Sequence, residues 1–403
     1  MFFCSPPRSS ALPSKIYNDE RQKEKVKSKK GKSVSVSVKA SVVSVISVFI
    51  LRSFSVGGIC VFLCISGCVS NPAPKPAALS IDTPGGMIAY LNSQNLPALK
   101  SVEPWASPFG QGLKLTTTHY EIHTTLLEPL MLSQVPGFME SAYRSYQAQL
   151  PKPIETSTLF TVYLFADRHQ WETFTVSFTG PQAPLYLQIK KGAYYLNGSC
   201  VAYYIGREST FTSIGHEGWH QFNSRYFKYR LPSWLDEGIA MTFETSAYEG
   251  GFFVFQPERN MNRLGGLKKT LLSNETIPLR ELVSINPGEV VAEINDITAF
   301  YSQAYALVRF LREDNYGKRL ASYQKLLLDG LTGQWPLSEA DRRIAADRNI
   351  LITVGWNRMA GSMLFEHYFT NSDAAKVGDD FGKIEKQYIA FCRKIVYNIQ
   401  LRN

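Results

Sequence analysis

Two histidines and a glutamate in one short stretch have the types and spacing to bind a metal ion and use it. The stretch is His216-Glu217-Gly218-Trp219-His220. On a helix, residues four apart share a face, so His216 and His220 would direct two imidazoles at one point with Glu217 beside them. Two imidazoles and one carboxylate leave a tetrahedral zinc ion with an open position for an acidified water. Glu217 would accept the proton of that water.

Two expected helices would position these residues. The first would begin near Thr210 or Thr212 and run to about Tyr226, and the second would begin at Pro232 and fade near Thr245. Sixteen residues separate His220 from Glu237, which is enough to end one helix, turn, and bring the second back over the first. The alternative is that the two histidines are ordinary core or surface residues. The pattern arises by chance in fewer than about one chain in a hundred of this composition.

Positive charge is concentrated at the start of the chain. The 403 residues have a formal net charge of +9, but residues 1–67 hold 11 Lys or Arg and 3 Asp or Glu. The remaining residues hold 32 basic and 31 acidic side chains and are nearly neutral. We therefore expect no nucleic-acid partner, because such binding needs a basic surface.

Residues 1–67 are predicted to be a leader. A Lys-rich run precedes a nearly uncharged apolar stretch, as in a secretory signal peptide. Leu63-Cys64-Ile65-Ser66-Gly67-Cys68 resembles the lipobox of bacterial lipoproteins, which implies that Cys68 is lipidated. Residues 68–80 would then form the lipid anchor and a Pro-rich tether at the bacterial cell envelope, on the periplasmic face of the outer membrane or outside the cell. The alternative is an uncleaved transmembrane helix, since the apolar run exceeds about 20 residues.

The rest of the chain is expected to divide into three segments: an N-terminal α/β subdomain at 81–209, the catalytic helices at 210–315 and a helical C-terminal cap at 316–403. Strands are expected at 116–124, 158–165 and 252–255, and helices at 136–150, 167–174 and 300–311. Asn197-Gly198 between two β-prone runs predicts a hairpin. That hairpin is either an edge along which an extended peptide pairs or an ordinary structural element.

The region around the two expected helices resembles the gluzincin metallopeptidases. In that family His-Glu-x-x-His supplies two zinc ligands and a Glu from a following helix supplies the third. Trp234-Leu235-Asp236-Glu237-Gly238-Ile239-Ala240 resembles the Trp-Leu-x-Glu-Gly-Phe-Ala element of the aminopeptidase branch, although the spacing from His220 is slightly shorter here. The closest overall resemblance is to bacterial peptidase-MA-like domains and covers residues 115–315. It implies that His216, His220 and Glu237 bind Zn²⁺ and that Glu217 is the general base.

The same resemblance assigns a role to Tyr301. Aminopeptidase-branch gluzincins have a Tyr-x-x-Gly-x-Ala-Leu helix whose tyrosine hydroxyl stabilises the oxyanion. Tyr301 matches that tyrosine, and Ala304 replaces the glycine. A hydroxyl donor of this kind is what hydrolysis needs. The alternative is a core role, because the chain has 21 tyrosines.

Several other residues allow two interpretations. Glu244 and Asp236 could each hydrogen-bond a ligand histidine, but a solvated side chain is favoured for Glu244, and the same reservation applies to Asp236. His119 and His123 are interpreted as a solvent-facing pair on one strand rather than as a second metal site. Cys200 and Cys392 are either a disulfide or separate buried thiols. Gly137-Phe138-Met139-Glu140-Ser141 resembles an aminopeptidase substrate-amine motif, but it is interpreted as coincidence because it lies far upstream.

Together these features predict an α+β, zincin-like fold with a small mixed β-sheet, an active-site helix carrying the His-Glu-x-x-His motif and a mainly helical C-terminal part. The expected function is a zinc-dependent peptidase that acts on peptide or protein substrates and reaches the membrane through its N-terminal lipid anchor. The alternative is a catalytically inactive surface binding or scaffold lipoprotein that retains a structural metal site.

Overall fold

A mixed β-sheet is the framework on which the helices pack. The computed structural model describes residues 80–190, 192–286, 294–350, 352–370 and 377–400. Within these ranges the strands are β1 Ser101–Ser107, β2 Gly110–Thr116, β3 Tyr120–Thr124, β4 Phe160–Phe165, β5 Ala193–Leu196, β6 Ser199–Tyr203, β7 Ser246–Glu249 and β8 Phe252–Phe255. Six of them form one sheet in the order β1-β2-β3-β4-β6-β5, and β7 pairs with β8. Strands β3, β4 and β6 are parallel, and the other neighbours in the sheet are antiparallel.

Helices cover the sheet and make up most of the C-terminal part. Those before β7 are α1 Pro84–Ser93, α2 Pro129–Gln147, α3 Arg168–Thr179, α4 Ala183–Tyr186, α5 Arg207–Tyr226 and α6 Ser233–Ala240. Those after β8 are α7 Met261–Leu272, α8 Leu279–Leu282, α9 Ile294–Gly317, α10 Leu320–Thr332, α11 Glu339–Ala346, α12 Val354–Phe369 and α13 Val377–Ile395. The α+β class, the mixed sheet and the mainly helical C-terminal part are therefore confirmed.

The sheet has a hydrophobic core on each face. Successive residues of a strand point to opposite faces, so Cys200 and Ala202 of β6 enter the larger core, to which α2 and α5 also contribute. Val201 and Tyr203 enter a smaller core with Trp171 of α3. Helix α5, which carries the two histidines, therefore lies against the sheet on the side of the larger core.

The hairpin predicted at Asn197-Gly198 is confirmed. Asn197 has φ 49° and Gly198 has φ 81°, and positive φ at both central residues is what a two-residue turn between twisted strands requires. The turn joins β5 to β6, and β5 forms one edge of the sheet. The short edge strand β5 is therefore separated from the helix that carries His216 only by β6.

Three predicted helix starts are wrong. Helix α9 begins at Ile294 rather than at residue 300. Helix α5 begins at Arg207, because the hydroxyl of Thr210 accepts from the backbone N–H of Ile205 and donates to Gly206 O within the first turn. Helix α2 begins at Pro129, where the side chain of Glu128 caps the first turn, and it continues through Pro136. A proline inside a helix removes one backbone donor and is typical of a helix start, so the pattern that begins at Pro136 predicts a start inside the longer helix.

Some predictions fall outside the described residues. These are the leader at 1–67, the lipidation site Cys68 and, except for Ser80, the tether at 68–80. Within the described ranges no helix combines the length and the apolar character needed to cross a membrane. Cys200 and Cys392 are both buried and are not joined to each other, which fits the interpretation as separate thiols.

Candidate metal centre

Helices α5 and α6 bring three potential metal ligands together in the protein interior. His216 and His220 lie one turn apart on α5 and their ring centroids are 5.1 Å apart. Glu237 approaches both from α6. His216 is 1% exposed, His220 6% and Glu237 0%. Burial of such polar side chains costs free energy unless hydrogen bonds, opposite charges or a metal ion replace the lost water.

The distances within this group suit a single ion. Nε2 of His216 lies 3.4 Å from Oε2 of Glu237, and Nε2 of His220 lies 3.8 Å from Oε1 of Glu237. One ligand atom from each residue lies within 4.8 Å of the other two. Ligand atoms about 2.1 Å from one tetrahedral zinc ion would be roughly 3.4 Å apart. The group could therefore bind a metal ion with small side-chain adjustments.

Close packing of α6 on α9 positions Glu237. A Cβ atom on Gly238 would lie 2.6 Å from Ala304 O and 2.6 Å from Cγ2 of Val308, so this position requires glycine. The connection between α5 and α6, residues 227–232, is also fixed. Its backbone N–H groups at 228, 229 and 230 donate to carbonyls of α10 and α11, namely Leu331 O, Gly330 O and Ala345 O.

Asp236 supports His220 from behind. Oδ1 of Asp236 lies 3.1 Å from Nδ1 of His220 and accepts hydrogen bonds from Nε1 of Trp219 at 2.9 Å and Nδ2 of Asn223 at 2.6 Å. The interpretation of Asp236 as a residue that orients a ligand is therefore supported by contact. Because Nδ1 faces the carboxylate, Nε2 is left to face Glu237.

Glu244 supports His216 in the same way, and its interpretation as a solvated residue is wrong. Oε1 of Glu244 lies 3.1 Å from Nδ1 of His216. Its carboxylate also accepts from Nδ2 of Asn260 at 2.8 Å and from Nε and Nη2 of Arg263 at 2.8 and 2.6 Å. Asn260 and Arg263 lie at the start of α7, and they make burial of the Glu244 charge possible.

The carboxylates control the protonation of both histidines. Burial alone would lower the pKa of His216, but hydrogen bonds and charge from Glu237 and Glu244 raise it to about 8. Burial also opposes protonation of His220, yet Asp236 and Glu237 raise its pKa to about 10. Burial would raise the pKa of Glu244, but Arg263 and His216 lower it to about 2. Without a metal, the imidazoles therefore hold protons that balance the buried negative charge.

The donor set and two unsatisfied atoms fit a metal ion. Within the described part of the chain, Nε2 of His220 and Oε1 of Glu217 are buried without a hydrogen-bond partner. Buried polar atoms normally have partners, so each exception needs an explanation. Two imidazole nitrogens and a carboxylate oxygen, with no thiolate, form a donor set suited to zinc. His216, His220 and Glu237 would hold such an ion.

Glu217 lies between the candidate ligands and the edge strand. It accepts a hydrogen bond from the backbone N–H of Tyr195 in β5. In the β5–β6 hairpin, Leu196 pairs with Ser199 across the turn and Tyr195 pairs with Cys200, so the backbone groups of Tyr195 face away from β6. Burial raises the pKa of Glu217 to about 7, against the opposing charges of His220 and His216. This carboxylate can therefore exchange a proton near neutral pH.

Tyr301 lies on α9, next to Arg263, which binds the Glu244 carboxylate that contacts His216. The guanidinium of Arg263 lies 5.4 Å from the centroid of the Tyr301 ring, and Tyr301 is 7% exposed. Tyr305, one turn later, has a different role. Its hydroxyl donates to Pro257 O and accepts from Nη1 of Arg309 at 3.2 Å. The same arginine that holds Glu244 thus stacks on Tyr301, whereas Tyr305 is committed to a structural contact.

The other histidines and the upstream glutamate have structural partners. Glu140 accepts from the hydroxyl of Thr117 at 2.6 Å and from the backbone N–H of His119 at 2.8 Å, which supports the interpretation of residues 137–141 as a coincidental match. His119 stacks on Tyr143 at 3.8 Å, whereas His123 stacks on Tyr163 at 5.3 Å. They are thus not a solvent-facing pair, since each ring packs against a different aromatic residue.

Comparison with protein-family models and with curated proteins gives no match to this chain. The geometry of the centre therefore carries the functional argument. Sequence reasoning did not identify Asn260 or Arg263, because their partner Glu244 lies 16 and 19 residues away, outside any helical spacing.

Proposed function

We propose that the protein is a zinc-dependent peptidase of the gluzincin type, with His216, His220 and Glu237 as ligands and Glu217 as general base. The observation that carries the proposal is the pair of buried atoms without hydrogen-bond partners in the described chain, Nε2 of His220 and Oε1 of Glu217. They suit one bound group that bears both a positive charge and an exchangeable proton. A bound zinc ion supplies both, because it acidifies a water and polarises a carbonyl group.

Each residue of the centre would have a separate role in hydrolysis. Asp236 and Glu244 hold the two imidazoles in the orientation that leaves Nε2 for the metal. Glu217 takes up a proton and returns it to the leaving amine, a task for which a pKa of about 7 is suited. We assign Tyr301 to the oxyanion, on the basis of its match to the family pattern.

The edge strand β5 supports a peptide as the substrate class. The backbone groups of Ala193 face away from β6, and an edge of this kind pairs with extended peptides through main-chain hydrogen bonds. Because Tyr195 contacts Glu217, a peptide paired there would pass the general base. Anchoring at the cell envelope through Cys68 completes the proposal.

Zinc content and hydrolysis test the proposal together. Full-length protein should contain about one zinc ion per chain by elemental analysis, and His216→Ala should reduce this to near zero. Glu217→Gln should keep the zinc and abolish cleavage of a fluorogenic peptide library. A zinc content near zero that His216→Ala does not change would refute the metal site. Zinc bound in the absence of any cleavage, with an unchanged cellular phenotype for Glu217→Gln, would favour the scaffold alternative.

A further inference from the structure

We propose that Arg348, with Arg230 behind it, forms a carboxylate-binding site next to the candidate metal centre. The ligand would be a carboxylate of the substrate, either an acidic side chain or a C-terminal carboxylate. The inference rests on the proposed function for the identity of the substrate. It does not rest on any residue assigned to hydrolysis.

Arg348 lies at the end of α5 that is nearer to His220. Its Nη2 donates to Phe227 O at 2.8 Å, and Phe227 is the residue that follows α5. The guanidinium is also within electrostatic range of the Asp236 carboxylate and the Tyr195 phenol. Asp236 contacts His220, and the Tyr195 side chain lies on the same face of the sheet as its partner Cys200, the side of α5. Arg348 therefore lies beside the α5–α6 connection, within electrostatic range of a side chain of the edge strand.

The two arginines form a positively charged pair that the carboxylates of Asp347 and Asp236 offset only from a distance. Nη1 and Nη2 of Arg230 donate to Ile350 O at 2.8 Å and Ile344 O at 2.6 Å, so this guanidinium is fixed by neutral groups. Burial and the charge of Arg348 lower the pKa of Arg230 to about 10, against the opposing charge of Asp347. Within the described ranges neither arginine forms an ion pair with a carboxylate. An anion at this position would relieve the repulsion between two like charges.

The geometry favours a peptide carboxylate as the anion. Arg348 is exposed, and arginine presents a planar fork that matches a carboxylate. Seven residues of helix separate His220 from Phe227, which is roughly 10 Å at 1.5 Å per residue. An extended peptide covers that distance in about three residues. The site would thus select substrates with a carboxylate about three residues from the cleaved bond.

Peptide binding to the full-length Glu217→Gln variant tests this inference. One fluorescent peptide would be prepared with a free C-terminal carboxylate, with a C-terminal amide, and as the amide with one Asp near its end. Fluorescence anisotropy should give a Kd at least tenfold lower for one of the two carboxylate forms than for the plain amide. Preference for the first form identifies a C-terminal carboxylate as the ligand, and preference for the second identifies an acidic side chain.

Substitutions connect the preference to Arg348. Arg348→Gln should reduce it to less than threefold, whereas Arg343→Gln, which removes an exposed arginine from α11, should leave it unchanged. If Arg348→Gln does not fold, Arg348→Lys should reduce the preference at least threefold, because it keeps the charge and loses the fork. A preference that survives these changes, or no preference in the first place, overturns the inference.

The outcomes separate this inference from the proposed function. Carboxylate-dependent binding without cleavage by the wild-type protein would support the site and contradict the peptidase proposal. Cleavage that is indifferent to carboxylates would support the peptidase proposal and overturn the site.

Discussion

Oδ1 of Asp236 lies 3.1 Å from Nδ1 of His220, while the neighbouring residue Glu237 approaches Nε2 of the same ring at 3.8 Å. Two consecutive residues of α6 thus contact the two nitrogens of one imidazole. The first orients the ring, and the second belongs with it to the group that could bind a metal ion. A displacement of α6 would therefore disturb both the ligand and its support.

Replacing Asp236 should weaken metal binding without removing a ligand. We expect Asp236→Asn to reduce zinc affinity by about 10- to 100-fold, because the neutral amide holds the imidazole less firmly. Competition with a chromophoric chelator measures this affinity. Asp82→Asn, at an exposed position, is the matched control. Equal affinities of Asp236→Asn and wild type would contradict the role assigned to Asp236.

Replacing Arg263 should destabilise the fold more than replacing a surface arginine. Arg263→Met leaves Glu244 buried without its counter-charge, which costs about 3–5 kcal/mol in comparable buried pairs. Arg343→Met breaks the exposed pair with Glu339 and should cost less than about 1 kcal/mol. Urea denaturation gives both free energies of unfolding. The loss in Arg263→Met should be smallest at low pH, because stability that depends on the lowered pKa of Glu244 is present above pH 4.5 and is lost towards pH 2.

Zinc binding should release protons. The pKa of His216 is raised to about 8 and that of His220 to about 10 in the metal-free protein, so both rings are protonated at pH 7 and a metal must displace these protons. Zinc affinity should therefore increase as the pH rises from 6 to 8. Titration calorimetry in buffers of different ionisation enthalpy should show about one to two protons released at pH 7. Binding without proton release would contradict this account.

The same shifts predict the pH dependence of the metal-free fold. A raised histidine pKa stabilises the folded state below the unfolded value of 6.5 and ceases to do so as the pH passes the folded value. Chelator-treated protein should thus lose stability between pH 6.5 and 10, as measured by its Tm. Zinc-loaded protein should lose less over this interval, since the ion replaces the protons.

Gly238→Ala should be destabilising although alanine favours helices. The added Cβ would overlap the carbonyl of Ala304 and the side chain of Val308, and overpacking of this kind costs about 1–3 kcal/mol. Gly265→Ala in α7 is the control, because its Cβ would meet nothing within 4 Å. That substitution should stabilise the protein by up to about 1 kcal/mol. Similar effects of the two substitutions on unfolding would show that α6 does not need close contact with α9.

Tyr301→Phe should affect catalysis, whereas Tyr305→Phe should affect stability. If Tyr301 donates to the oxyanion, its loss should lower kcat by about 10²- to 10³-fold with zinc content unchanged. Tyr305→Phe removes hydrogen bonds to Pro257 and Arg309 and should lower the Tm while kcat changes only a few-fold. A normal kcat in Tyr301→Phe would contradict the oxyanion role and would favour a purely structural role for Tyr301 in the core.

The residues of the candidate metal centre could be predicted from local sequence patterns. The residues that contact them from other helices could not, because they are distant in the sequence. Asn197-Gly198 determines its turn through backbone conformation alone, and His216 and His220 share a face wherever a helix forms. The environment of Glu244 depends instead on Arg263, which arrives from another helix. Arg348 is more distant still, at 121 residues from the carbonyl it contacts. Contacts of this kind leave no periodic signal in the sequence.

The connection at residues 227–232 limits how the length of this protein can change. Three successive N–H groups of the connection are each matched to a separate carbonyl of α10 or α11. An inserted or deleted residue would put these donors out of register and rotate Glu237 by about 100° around its helix axis. In this chain the 16-residue interval between His220 and Glu237 is therefore fixed by the contacts of the connection with α10 and α11.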